Sequence, residues 1–507
     1  MPAPISSDLK KMEATLREKL GNSSDLVFRP FASNLSGLRR GLLVHVDQLV
    51  HGSRVEAMLR SITIGMNPPF EPPQIDPDPL KNFMNTAAAV SEVRLVNQVD
   101  DVIAAILIGE VVLLLDGYDQ ALVADVRKYP SRGVQEPVTE SEVRGPRDGF
   151  TEDILTNAAL IRKRLRDPNL RLELTQVGRR TQSDLFLIYV EGLAKDDLVA
   201  EVRQRLKRID LDAVIGSGFL EELIQDTPLS PFAVLISTER PDKVCAALLE
   251  GRVCLLVDNT PFALLLPVTL WQMLQAPGDY YHQYWAATAF RWVRLLALML
   301  GMTLPAVYVM LGSFHHEMIP TPLALSMAGG REGTPLPVLL ETLFMIVMFE
   351  VMHEAGLRLP RAVGQTVSIV GALVIGEAAV MAGLVAPATV IVVATAGISA
   401  FALPSYSLSL IVRLLRIPLL LLSGTLGVFG FLAGTSALAM HLTTLRSFGT
   451  AFLSPMAPLR TGEWQDTFIR MPLWATTRRP HFAQKEQRRR QVLQHSGPPG
   501  GSGGGKP

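Results

Sequence analysis

From Ile417 to Met440 the chain runs 24 residues without an Asp, Glu, Lys or Arg, and from Val367 to Ala386 Glu377 is the only charge. About 20 apolar residues at 1.5 Å rise cross the ~30 Å hydrocarbon core of a bilayer, so runs of this length and polarity predict transmembrane helices. Before about residue 286 charges are scattered throughout. The expected fold class is thus a soluble α/β N-terminal half followed by an α-helical multi-pass membrane domain. Met1 to Leu20 is polar and lacks the apolar core of a secretory signal peptide, which predicts a front half folded in the cytosol.

The 48 Lys+Arg balance 48 Asp+Glu, so no overall charge draws the chain to nucleic acid, and a 48% hydrophobic composition excludes disorder. Its 507 residues exceed one compact domain. Two cysteines, Cys245 and Cys254, make neither a disulfide framework nor a zinc site, and are expected as small buried side chains.

The soluble half contains a duplication. DDVIAAILIGEVVLLLDGYDQALV from Asp100 aligns without gaps with DKVCAALLEGRVCLLVDNTPFALL from Asp242, 142 residues on, with 12 identities in 24 positions. Each copy reads as a helix ending at a glycine (Gly109, Gly251), a buried strand, a turn and a returning strand. A weaker echo relates Leu43–Asp47 to Leu187–Glu191 at a shift of 144. The expected domains are a flexible N-terminus (1–24), α/β subdomains at 25–135 and 170–285, and a linker helix within 136–169. A transmembrane domain (286–445) and a cytosolic basic tail with a disordered end (446–507) follow. The linker carries Arg144, Arg147, Arg162 and Arg164; they are either solvated or dock on carboxylates of a neighbouring subunit, since guanidinium forms bidentate pairs.

In the membrane half, Arg291 to Leu311 reads as a first span with a kink at Pro305. Leu336 to Met352 places Glu341 and Glu350 nine residues apart, about 180° around a helix, which favours an interfacial or re-entrant segment. Small residues recur in Val367–Ala386, including Gly371, Gly376 and Gly383, and Gly430 and Gly434 recur in GxxxG spacing within Ile417–Met440. Such residues let helix backbones approach closely in lipid. Glu377 would cost about 3 kcal/mol facing lipid, so it faces a water path, a proton or a hydrogen-bonding neighbour. The basic C-terminal end predicts an even number of spans, and four are favoured.

No phosphate-binding loop, HExxH or GxSxG is present, so no catalytic residue, metal ligand or cofactor is expected. Tyr129–Val134, EPVTESEVRGPRDGF from Glu136, TERPDKVCAALLEGRV from Thr238, Glu317–Pro320, REGTPLP from Arg331 and LPRAVGQTVSIVGALVIGEAAVMAGLVAP from Leu359 resemble the A subunit of the GerA-type spore germination receptors. Glu377 stands where an uncharged residue such as Gln is expected, and Ala386 where Ser is commoner. The resemblance implies a non-enzymatic germinant-receptor subunit in the spore inner membrane, with its N-terminal domain and C-terminal tail in the core. Its implied partners are a transporter-like, germinant-binding B subunit, a lipoprotein C subunit, membrane lipid and further copies of itself. Those copies would form a homo-oligomer, a ring of five, acting as a ligand-gated ion channel. In that channel Val370, Val374, Glu377 and Met381, on one helix face, would line the conduit. A transporter component or a scaffold for the B subunit is the alternative.

Overall fold

The computed structural model describes residues 3–33, 39–64, 92–128, 136–137, 140, 142–359, 376–476 and 479–484. The chain forms two units, Met1–Pro228 with Ser237–Pro267 and Thr477–Pro507, and Leu229–Ile236 with Val268–Thr476.

In the first unit, helix α1 (Leu9–Leu20) precedes strands β1 (Leu26–Ser33) and β2 (Arg39–Val46), helix α2 (Gly52–Ile64), strand β3 (Val93–Val96), helix α3 (Val99–Ile108) and strands β4 (Val111–Leu115) and β5 (Ala121–Ala124). The strands pair antiparallel in the order β1-β2-β4-β5-β3. Strand β4 is buried on both faces, which is why it reads VVLLL rather than alternating. Val112 and Leu114 pack on the side of α1 and α3, and Val111, Leu113 and Leu115 on the side of α2.

The second copy repeats this plan. Helix α4 (Ile154–Arg164), strands β6 (Leu170–Val177) and β7 (Ser183–Val190), helices α5 (Asp196–Lys207) and α6 (Ser217–Ile224), strand β8 (Ile236–Thr238), helix α7 (Pro241–Leu249) and strands β9 (Val253–Val257) and β10 (Ala263–Leu266) follow. Their sheet order is β6-β7-β9-β10-β8, the first order advanced by five strands. Strands β6 and β7 start 144 residues after β1 and β2, and β9 and β10 start 142 after β4 and β5. Gly109 and Gly251 follow their helices at φ 94° and 86°, in the left-handed region that glycine enters without a Cβ penalty.

The duplication extends further than its legible core. Asp8 caps α1 and Asp153 caps α4. In each copy the aspartate after the central strand also accepts the first helical N–H, Leu9 N to Asp116 Oδ1 and Ile154 N to Asp258 Oδ1, both at 3.3 Å. Residues 9–20 are therefore not a flexible lead. Met12, Leu16 and Leu20 are buried, making α1 the covering helix of the first copy. The linker helix is likewise α4, the covering helix of the second, with Ala158, Leu160 and Ile161 buried. Residues 479–484 add to this unit: Gln484 N donates to Leu193 O at 3.0 Å.

In the second unit, the short helix α8 (Leu270–Met273) leads to α9 (Tyr284–Ser313), α10 (Thr321–Gly330), α11 (Val338–Arg358), a helical segment at 376–381, α12 (Pro387–Phe401), α13 (Tyr406–Leu426) and α14 (Val428–Thr444). Helix α9 packs on α12 and α13. Among the described residues two helices, α9 and α13, are long and apolar enough to cross a membrane, and α12 and α14 are apolar but shorter. The run Ile417–Met440 is not one span. Gly427 adopts φ 61°, ends α13 and starts α14. Residues 446–476 are not a tail but fold in this unit: Leu270 N donates to Phe452 O at 2.9 Å and Val268 N to Ser447 Oγ at 3.0 Å.

Candidate functional site

Charges inside an apolar bundle are where function concentrates, because an uncompensated one costs about 3 kcal/mol at the centre of a membrane helix. Pro305 in α9 has no N–H, which leaves the Gly301 carbonyl four residues back without its helical donor. The fully buried Arg416 on α13 supplies it: Nε donates to Gly301 O at 2.9 Å and Nη2 to Ala396 O at 3.1 Å. One turn earlier, Arg413 donates to the Glu350 carboxylate of α11 through Nε at 2.9 Å and through Nη2. Glu341, also fully buried, accepts the Ala386 N–H at the N-cap of α12, where the helix dipole favours an anion, and lies 3.7 Å from Arg331. Tyr308 and Thr389 hydroxyls share a 2.9 Å hydrogen bond nearby.

The nine-residue spacing of Glu341 and Glu350 predicted an interfacial or re-entrant segment. Arg413 and Arg416 lie within α13, which starts at Tyr406 behind the Ser405 cap. The two carboxylates are neutralised from different sides, so their opposite placement no longer argues against a helix within the bundle. The signal that could have found this was present: two carboxylates in one apolar helix and two guanidiniums in another.

Of the expected conduit residues, Val370 and Val374 lie outside the described residues, as does Gly371. Glu377 and Met381, four apart on one helical face, are both exposed, whereas Ala379 between them is buried. Glu377 has no hydrogen bond or ion pair among the described residues. Gly376 lies in ordinary contact, its Cβ position 3.6 Å from Val390 Cγ1. Gly383 takes φ 65°, so what it supplies is the turn after this helix rather than a packing surface. A Cβ at Gly430 would collide with the Leu422 carbonyl oxygen, and one at Gly434 would lie 2.8 Å from Leu419 Cδ1, where α14 folds against α13.

In the α/β unit, Arg162 does not face outward. It is 1% exposed, and Nε and Nη2 grip Asp25 at 2.8 and 2.9 Å while Nη2 also reaches Ser23 Oγ at 3.1 Å. Arg164 pairs with Asp148 and with the Leu160 carbonyl. These two are consumed within the chain because α4 is a core helix. Arg144 is exposed, and Arg147 makes only a 3.4 Å pair with Glu136 between two solvent-facing side chains. Burial pushes the Cys245 thiol up to about 12 and Cys254 well above the usual thiol range, so neither is a nucleophile at neutral pH. Among the described residues no cluster of three His, Cys, Asp or Glu could hold a metal ion.

The sequence pattern described as "Bacillus/Clostridium GerA spore germination protein" matches residues 14–482. The Bacillus subtilis uncharacterized membrane protein YfkQ is 40% identical over 94% of this chain and 91% of its own. Spore germination protein KA of the same organism is 37% identical over 97% of this chain and 89% of its own. The crystal structure of the N-terminal domain of the A subunit of the Bacillus megaterium spore germinant receptor GerK3 is 29% identical, covers 53% of this chain and 97% of its own, and has a TM-score of 0.42. Matched from residue 14 to residue 482 and akin to germination proteins over nearly its full length, the chain belongs to the GerA family, the A subunits of spore germination receptors.

Proposed function

We propose that this A subunit sits in the spore inner membrane, with its α/β unit on the core side, and that copies of its helical unit assemble, as a pentamer, around an ion conduit that nutrient opens. It would act with a transporter-like B subunit that binds the germinant and a lipoprotein C subunit. The observation that carries this reading is Glu377: an exposed carboxylate in an apolar setting, with no partner among the described residues. Lipid against it would cost about 3 kcal/mol, whereas a ring of copies around water would hydrate it and attract cations. Support for assembly comes from α14, in which Gly430 alone is buried while Phe429, Leu432 and Met440 are exposed. Val370 and Val374 would continue the Glu377 and Met381 face as apolar rings that dewet the closed conduit. Arg144 and Arg147 remain the guanidiniums available to a neighbouring α/β unit.

The test is conductance of the chain reconstituted in planar bilayers. Single-channel currents are expected, with cation selectivity reduced in Glu377→Gln and a leaky closed state in Val374→Ala. Unchanged selectivity and leakage in both variants would remove this helix from the conduit. Saturable flux with counter-transport would make the chain a transporter component, and an ion-tight bilayer would make it a scaffold for the B subunit.

A further inference from the structure

All five tryptophans of the chain fall in two short stretches, at 271, 285 and 292 and at 464 and 474. Those stretches meet at the start of α9. Trp271 Nε1 donates to Leu453 O at 3.1 Å, Arg291 Nη1 to Asp466 O at 2.7 Å, and Arg470 N to Thr288 Oγ1 at 3.1 Å. Phe468 lies among three indoles, its ring centroid 4.7 Å from that of Trp271, 6.1 Å from Trp464 and 6.3 Å from Trp292. The carboxylates here are paired: Asp279, 1% exposed, takes Arg291 and Arg294, and the partly exposed Asp466 takes Arg291 and the Tyr280 hydroxyl. The large exposed side chains here are apolar, with Leu459 66% and Leu473 63% exposed and Ile469, Trp285 and Trp292 each more than half exposed.

We infer that residues 456–475 lie in the interfacial layer of the bilayer as a collar beside the first turns of α9, with phospholipid as the partner of their outward face. This rests on the membrane reading above and goes beyond it. Helix α9 has 30 residues, about 45 Å of rise against a hydrocarbon core of ~30 Å, so its first turns have length to spare for the headgroup region. The collar is bonded to α9 at residues 288 and 291, which sets its depth at those turns. Its backbone is built of short 3-10 turns (Thr461–Asp466, Leu473–Ala475) whose polar groups need water within reach, so it cannot sink into hydrocarbon. Indole and phenol rings, apolar in body and polar at one edge, concentrate at that level. Pairing with Arg291 and Arg294 compensates the negative charge of Asp279 and Asp466 that headgroup phosphates would repel. With Arg460 lying 3.9 Å from Glu463, no unopposed basic cluster is left among the described residues of this stretch to demand anionic lipid.

The experiment uses the full chain in phosphatidylcholine vesicles, with and without phosphatidylglycerol, carrying bromine at shallow or deep acyl positions. Intrinsic tryptophan emission reports on these two stretches alone and needs no substitution. A fluorophore on Leu473→Cys then isolates the collar, since the native thiols are buried and unreactive. Expected is stronger quenching of both signals by shallow than by deep bromine, weak quenching by aqueous iodide, and no dependence on the anionic lipid fraction. Free access of iodide to the residue 473 probe while tryptophan is quenched by lipid would overturn the collar and leave the membrane reading standing. Shielding of that probe from both quenchers would mean that protein covers this face, and would overturn it too. Tryptophan untouched by either brominated lipid would sink the membrane reading itself.

Discussion

The two α/β copies share every strand and its place in the sheet, yet put matching polar positions to different uses. Arg17 on α1 is surface-exposed, pairing with Glu13 one turn away and lying over the Phe28 ring. Its counterpart on α4 is Arg162, sealed inside against Asp25. His45 on β2 is buried with Nδ1 lacking a hydrogen-bond partner, whereas Tyr189 at the same place on β7 donates to Glu173 Oε1 at 2.7 Å. The cause is asymmetry between repeats: residues 20–25 of the first copy lie along β6 of the second, with Ser24 N donating to Leu172 O at 2.8 Å. Duplication preserved the apolar frame, and the seam between copies decided which charges went inside.

Breaking the seam should have the largest effect. Arg162→Ala leaves Asp25 buried without its partner and is expected to cost about 3–5 kcal/mol, against at most ~1 kcal/mol for Arg17→Ala at the exposed equivalent. Hydrogen exchange of β6 and β7 in the detergent-solubilised chain measures it, and equal losses in the two variants would refute the asymmetry. Next come the matched glycines. Alanine at either adds a left-handed penalty of roughly 1–2 kcal/mol. A Cβ at Gly251 would also lie 2.7 Å from Ala483 Cα and 2.8 Å from Leu193 O, whereas one at Gly109 meets Leu49 Cβ at 2.9 Å. Gly251→Ala should therefore cost more and strip exchange protection from the Gln484 N–H, which Gly109→Ala should leave intact. The smallest effect concerns pH. Burial holds His45 below the usual histidine range, so the folded state prefers neutral imidazole. Its contribution is complete above the unfolded value of about 6.5 and is lost as pH falls through the depressed folded one. His45→Tyr, which installs the second copy's residue, should flatten the decline in stability measured between neutral and mildly acidic pH.

The strand pairs and their glycine-ended helices were legible because β4 and β9 are buried on both faces, which restricts them to the same few apolar residues in both copies. The repeat of α1 in α4 was not. A covering helix needs only one apolar stripe, and Met12 matched by Asn157 satisfies the same geometry without shared letters. The break at Gly427 was hidden because a left-handed glycine and a packing glycine look alike in a run that holds Gly424, Gly427, Gly430 and Gly434. The collar escaped notice because its residues, among them Leu459, Ile469 and Leu473, are irregularly spaced and follow no helical or strand period. In the helical unit, Glu377 was visible as a lone charge, while the Glu350 and Arg413 pair required knowing which helices touch.

The joint between Pro305 and Arg416 couples two distant points of the chain. One residue creates an acceptor without a donor and the other brings a donor without a counter-ion, and each makes the other tolerable. Replace the imino acid and the helix reclaims its own carbonyl, evicting the guanidinium; shorten the guanidinium and the carbonyl is left dry and orphaned. A change at either position should therefore be better tolerated when the other changes with it.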